Sequence, residues 1–173
     1  MCIRDSTDAE NMVKNGISWV RIAEFAWSRI EPTSGVFDWN WLDKIVDILG
    51  SNGLKIVMCT PTATPPKWLV DQMPDMVAID ENGHARKFGS RRHYSFSHIG
   101  YQQESQRITE AVAERYGQNN FVKAWQTDNE FGCHETTYSW CLSTLREFRI
   151  WLKKKYQNID DLNKSWGNVF WSM

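Results

Sequence analysis

In the stretch FVKAWQTDNEFGCHE, residues 121–135, an apolar run ends abruptly at Asp128, Asn129 and Glu130. A carboxamide between two acids at the end of a strand has two readings. It caps the helix that follows, or it faces a substrate. On the second reading the chemistry is glycosidic. One carboxylic acid protonates the leaving oxygen, opposite a second carboxylate. Such an acid must keep its proton near neutrality, which takes a partly desolvated setting, and Trp125 and Phe131 are the neighbours expected to supply one. An asparagine just ahead of the acid can hydrogen-bond a sugar 2-hydroxyl, a contact that strengthens in the transition state. On its own the Asn-Glu pair is a weak signal.

A second group is FGSRRHYSFS, residues 88–97. Its adjacent Arg91 and Arg92 could aim a guanidinium fork at sugar hydroxyls or a carboxylate. The competing reading is a surface salt bridge. The ten tryptophans divide similarly between core packing and flat platforms for the C–H face of a pyranose.

These groups are set among alternating elements. The pattern predicts helices over 7–15 (capped by Ser6 or Thr7), 39–51, 66–71, 100–116, 137–156 and 159–166. It predicts strands over 17–23, 55–60 and 121–127. PTATPP, residues 61–66, excludes regular structure. Strands flanked by helices imply parallel βαβ units, and each strand runs into a polar loop: EFAWSRIEP, PTATPP and DNEFGCH. That is the layout of a (β/α)₈ barrel, whose active site lies at the C-terminal ends of its strands. A doubly wound sheet is the rival, but no Gly-rich phosphate turn follows a strand. The fold expected is therefore α/β, a partial (β/α)₈ (TIM) barrel. A whole barrel takes about 250 residues, so the chain is expected to be an N-terminal part, truncated at both ends.

Composition narrows the function further. Twenty basic and 21 acidic residues are interspersed, for a net charge of −1, which gives no footprint for nucleic acid or a membrane surface. No stretch is apolar enough to span a membrane. MCIRDS has no signal-peptide character, and the four cysteines form no secreted disulfide framework. A cytoplasmic setting is expected.

RIAEFAWSRIEP (21–32), TPTATPPKWL (60–69), FGSRRHYSFS (88–97), WQTDNEFGCH (125–134) and LNKSWGNVFWS (162–172) together resemble the glycoside hydrolase family 42 β-galactosidases, a family of (β/α)₈ enzymes. The resemblance implies retaining hydrolysis of terminal non-reducing β-D-galactosyl residues. It implies Glu130 as the acid/base, and Arg92 and Asn129 as substrate-binding residues, while Asp128 supports the turn. No cofactor is expected, and a homotrimer is the assembly common in the family. The family's nucleophile is a glutamate on a later strand, which Glu24, Glu31 and Asp128 do not match, so the chain alone is expected to be inactive. MCIRDS differs from the family's opening segment and is read as six non-native residues ahead of a domain spanning 7–173. Many relatives also hold a structural zinc through four cysteines. Ser95, Ser139, Cys141 and Thr144 stand at those positions here, so no zinc is expected, and an improvised site from Cys133, His134 and Cys141 is disfavoured. The alternative function is a non-catalytic carbohydrate-binding protein.

Overall fold

The computed structural model describes residues 3–90, 92–133 and 136–172, with side chains described from residue 6 onward. Helix α1 (Ile3–Lys14) leads to strand β1 (Trp19–Ile22), the single turn α2 (Trp27–Ile30) and helix α3 (Asn40–Ser51). Strand β2 (Lys55–Cys59) is followed by α4 (Lys67–Gln72) and the long α5 (Ile99–Tyr116). Strand β3 (Val122–Gln126), α6 (Leu142–Tyr156) and α7 (Ile159–Trp166) complete the order.

The three strands are parallel and lie in chain order, β1-β2-β3. Ile22 pairs with Met58, and Cys59 with Gln126. Parallel neighbours need long crossovers, and α3 and α5 lie in these connections. A strand order that follows the chain without reversing has no topological switch point. Such an order matches the wall of a barrel.

Ile56 and Met58 of β2 are fully buried together with Leu42 and Val46 of α3 and Ile108, Val112 and Tyr116 of α5. Each such side chain removed from water contributes about 1.5–3 kcal/mol. Polar ties set the helices against one another. Asp43 of α3 takes the Tyr116 hydroxyl at 2.8 Å and pairs with Arg115. Glu31 is fully buried after α2. It receives Trp27 Nε1 at 3.0 Å, the Gly35 amide at 2.7 Å and Arg107 Nη2 at 2.8 Å from α5.

Three expectations need correction. Helix α1 begins at Ile3 rather than residue 7, because no Gly or Pro lies between them to stop the helix. Helix α6 begins at Leu142, not 137, because the preceding residues bond elsewhere. The Trp140 amide donates to Ile79 O at 2.9 Å, and the Ile79 amide donates to Ser139 Oγ at 3.0 Å. PTATPP does contain a regular turn, the 3₁₀ segment Pro61–Ala63, opened by a proline whose ring presets φ for the first helical position.

Candidate active site at the strand ends

The loops leaving β1, β2 and β3, together with residues 88–90, 92 and 93, enclose a cleft of about 350 Å³. Phe25, Thr64, Phe88, Arg92, His93 and Asn129 are among the residues lining it.

Asp128 ties these loops together. Its backbone amide donates to Thr60 Oγ1 at 2.8 Å, and Thr62 Oγ1 donates to its Oδ2 at 2.8 Å. Its Oδ1 takes the Asn129 amide at 2.6 Å and Arg92 Nη1 at 3.2 Å. The two threonines come from the turn after β2, so one carboxylate ties together three loops. Tyr94 and Tyr101 stack behind it at 4.3 Å, and the Tyr101 hydroxyl donates to Thr62 O at 2.9 Å. Burial pushes the Tyr94 hydroxyl up to about 12, with the Asp128 charge adding to the rise, so this phenol stays neutral. From β1, Arg21 Nη1 donates to Gln126 Oε1 at 3.0 Å, and Gln126 Nε2 donates to Asp128 O at 2.8 Å. The network thus crosses all three strands.

The backbone is strained here. Arg92, Asp128 and Glu130 have φ of 50°, 53° and 49°, and Ala23, just past β1, has 78°. A non-glycine residue in that region costs about 1–2 kcal/mol, and such residues gather where the surrounding structure holds a functional geometry in place.

Arg92 and Asn129 are brought together on the cleft, only 2% and 5% exposed. Arg92 is therefore no surface salt bridge but half of a buried pair with Asp128. Arg91 and His134 lie outside the described residues, and with His134 the improvised metal site. Glu130 is placed differently from the expectation. It is exposed, as are Phe131 (66%) and Trp125 (40%), so these aromatics do not desolvate it. The strained turn sends residues 128 and 129 inward and residue 130 outward. Phe131 packs instead against Phe96, with ring centroids 5.7 Å apart, and the Arg92 guanidinium lies 5.6 Å from each ring.

Sequence reasoning left out Thr60, Thr62, Thr64 and His93. The spacing T-x-T-x-T directly after a strand was the available signal for the threonines. For His93 only its place in the arginine loop pointed inward.

The four positions linked to zinc by the resemblance do converge. Ser95 Oγ lies 3.2 Å from Thr144 Oγ1, Cys141 Sγ 3.3 Å from the same hydroxyl, and the Cys141 amide 3.4 Å from Ser139 Oγ. Burial alone would raise the Cys141 thiol, but the hydroxyls of Ser139, Ser95 and Thr144 outweigh it and bring it down to about 7. One thiol among three neutral hydroxyls does not fit a structural zinc, which takes four Cys or His ligands. Ser95 and Thr144 bond each other instead, Ser139 accepts from the Ile79 and Cys141 amides, and the cluster joins the arginine loop to the start of α6.

The β-galactosidase model of glycoside hydrolase family 42 matches residues 4–173. A β-galactosidase of Halorubrum lacusprofundi is 50% identical over 165 residues, 95% of this chain and 24% of its own. One from Thermus thermophilus is 49% identical over 95% of this chain and 26% of its own. The crystal structure of a β-galactosidase from the psychrophilic Marinomonas ef1 superimposes with a TM-score of 0.95 at 53% identity, covering 99% of this chain and 26% of that one. The chain thus spans about a quarter of the length of the relatives it matches, and its sheet is part of a (β/α)₈ barrel. With the match running along nearly all of its residues, the chain belongs to the glycoside hydrolase family 42 β-galactosidases.

Proposed function

We propose that this segment works within a chain of the relatives' length as the acid/base half of a retaining β-galactosidase, which removes terminal non-reducing β-D-galactose from β-D-galactosides. The observation that carries the reading is the pairing of Arg92 with Asn129 on one cleft at the strand ends. There Arg92 Nε and Nη2 are buried and have no hydrogen-bond partner among the described residues. Asp128 neutralises the guanidinium and holds it in place. Its unused donors, together with the Asn129 carboxamide, suit sugar hydroxyls.

Glu130, exposed beside Asn129, is the proton donor of this reading. It protonates the departing oxygen and then, as a base, activates water. Its exposure means that the later barrel strands must supply the walls that desolvate it, along with the opposing carboxylate. Arg21 of β1, which also bonds Glu24 at 3.3 Å, donates to Gln126 of β3 at 3.0 Å, and Gln126 in turn braces the loop that carries Glu130 through Asp128 O.

The test is to follow hydrolysis of an aryl β-D-galactoside by the full-length enzyme with NMR. Retention predicts that β-galactose appears first and then mutarotates. An α-anomer as first product, or faster turnover of the matching glucoside, would overturn the reading.

A further inference from the structure

Among the described residues, five buried side-chain polar atoms have no hydrogen-bond partner. Four belong to residues lining the one cleft: Thr64 Oγ1, Arg92 Nε, Arg92 Nη2 and His93 Nε2. An unmet buried polar atom costs about 1–3 kcal/mol, so their concentration in one place marks where a polar ligand would complete them. The arginine supplies only donors. A sugar hydroxyl both donates and accepts, and a site that orients one needs an acceptor as well.

His93 has the chemistry for that part. It is 4% exposed, and its Nδ1 lies 3.1 Å from Ser90 O. A carbonyl can only accept, so Nδ1 carries the hydrogen and Nε2 of the neutral ring presents its lone pair. Burial holds the imidazole pKa below its usual value, outweighing the Ser90 contact, and keeps the ring in that form. Phe88 and Tyr94 meet the ring edge-on, at centroid distances of 5.4 and 5.8 Å, and fix its plane.

We propose that His93 is a specificity-determining residue of the cleft, whose Nε2 accepts a hydrogen bond from one hydroxyl of the bound pyranoside while Arg92 donates to others. This rests on the glycosidase reading of the cleft but assigns a role that reading does not contain.

The test uses the full-length enzyme carrying this segment, with affinities for methyl β-D-galactopyranoside, its four monodeoxy analogues, and the corresponding glucoside and mannoside. His93→Phe keeps the ring contacts and removes the acceptor, whereas His93→Gln restores an acceptor near the Nε2 position. We expect His93→Phe to weaken galactoside binding about three- to tenfold, as the loss of one neutral hydrogen bond implies. It should bring no further loss on the one deoxy analogue that lacks the partner hydroxyl, and His93→Gln should recover part of the affinity. Equal additional losses on every analogue, or a lowered Tm with unchanged binding, would make His93 a packing residue and overturn the proposal. If the wild type prefers a different pyranoside but shows the same coupling to His93, the galactoside reading fails and this role stands. Absence of binding to any of these sugars overturns both.

Discussion

Asp128 touches Arg92, Thr62 and, through its amide, Thr60, and every functional residue near it inherits its position. Asp128→Ala would leave the Arg92 charge buried and unpaired, at a cost of about 3–5 kcal/mol. It should lower the midpoint of denaturation as well as activity. Arg92→Ala and Asn129→Ala should act on the transition state, each losing on the order of 1–3 kcal/mol in kcat/KM, and Arg92→Ala should also lower stability by leaving Asp128 without its counter-charge. Unchanged kcat/KM in either variant would remove that residue from the sugar site. For Glu130→Gln the expected loss is about 10²–10⁴-fold on lactose, the usual worth of general acid catalysis. The loss should be much smaller on a nitrophenyl galactoside, whose leaving group needs little protonation. Equal losses on both substrates would end the proton-donor assignment.

Helix α3 lies so close to the sheet that a Cβ on Gly50 would fall 2.0 Å from Phe121 Cγ. Gly50→Ala is therefore expected to destabilise by about 1–3 kcal/mol through overpacking. Adding Phe121→Ala should recover part of that loss, a non-additivity that a double-mutant cycle in denaturant measures directly. A second element-scale expectation concerns the hydroxyl cluster between the arginine loop and α6. Since this cluster offers three hydroxyls and a single thiol where a zinc would need four Cys or His ligands, a chelator should leave the melting temperature unchanged. Ser139→Ala, which removes the acceptor for the Ile79 amide, should lower stability by about 1 kcal/mol. A stoichiometric zinc content in the purified protein would contradict this account.

The described sheet has three parallel strands with β1 and β3 at its edges. Trp19 and Trp125 on those edge strands are exposed, as are Leu142, Leu145, Phe148, Ile150 and Trp151 along α6. In a closed barrel such faces and edges are covered by neighbouring strands and helices. Residues 1–173 expressed alone are expected to be inert toward galactosides and to unfold without a sharp transition. A cooperative melt by circular dichroism, together with turnover above background, would overturn both statements.

Much of the architecture was legible in the residues themselves. Helix α7 runs over 159–166 as its pattern predicts, because Asn158 caps it through the Asp161 amide and Gly167 ends it in the left-handed region. The strands KIVMC and VKAWQ fall where apolar and β-branched residues cluster. These are local preferences, read over a few neighbours. Tertiary structure decided the rest. Helix α6 starts late because Ser139 and Trp140 bond to Ile79, some 60 residues earlier. Glu130 faces outward because Asp128 is held by threonines 66 and 68 residues away. The motif DNE, together with the arginine loop, named the candidate groups by sequence alone. Which of them lie on one cleft depended on hydrogen bonds between residues far apart in the chain, and no local preference carries that information.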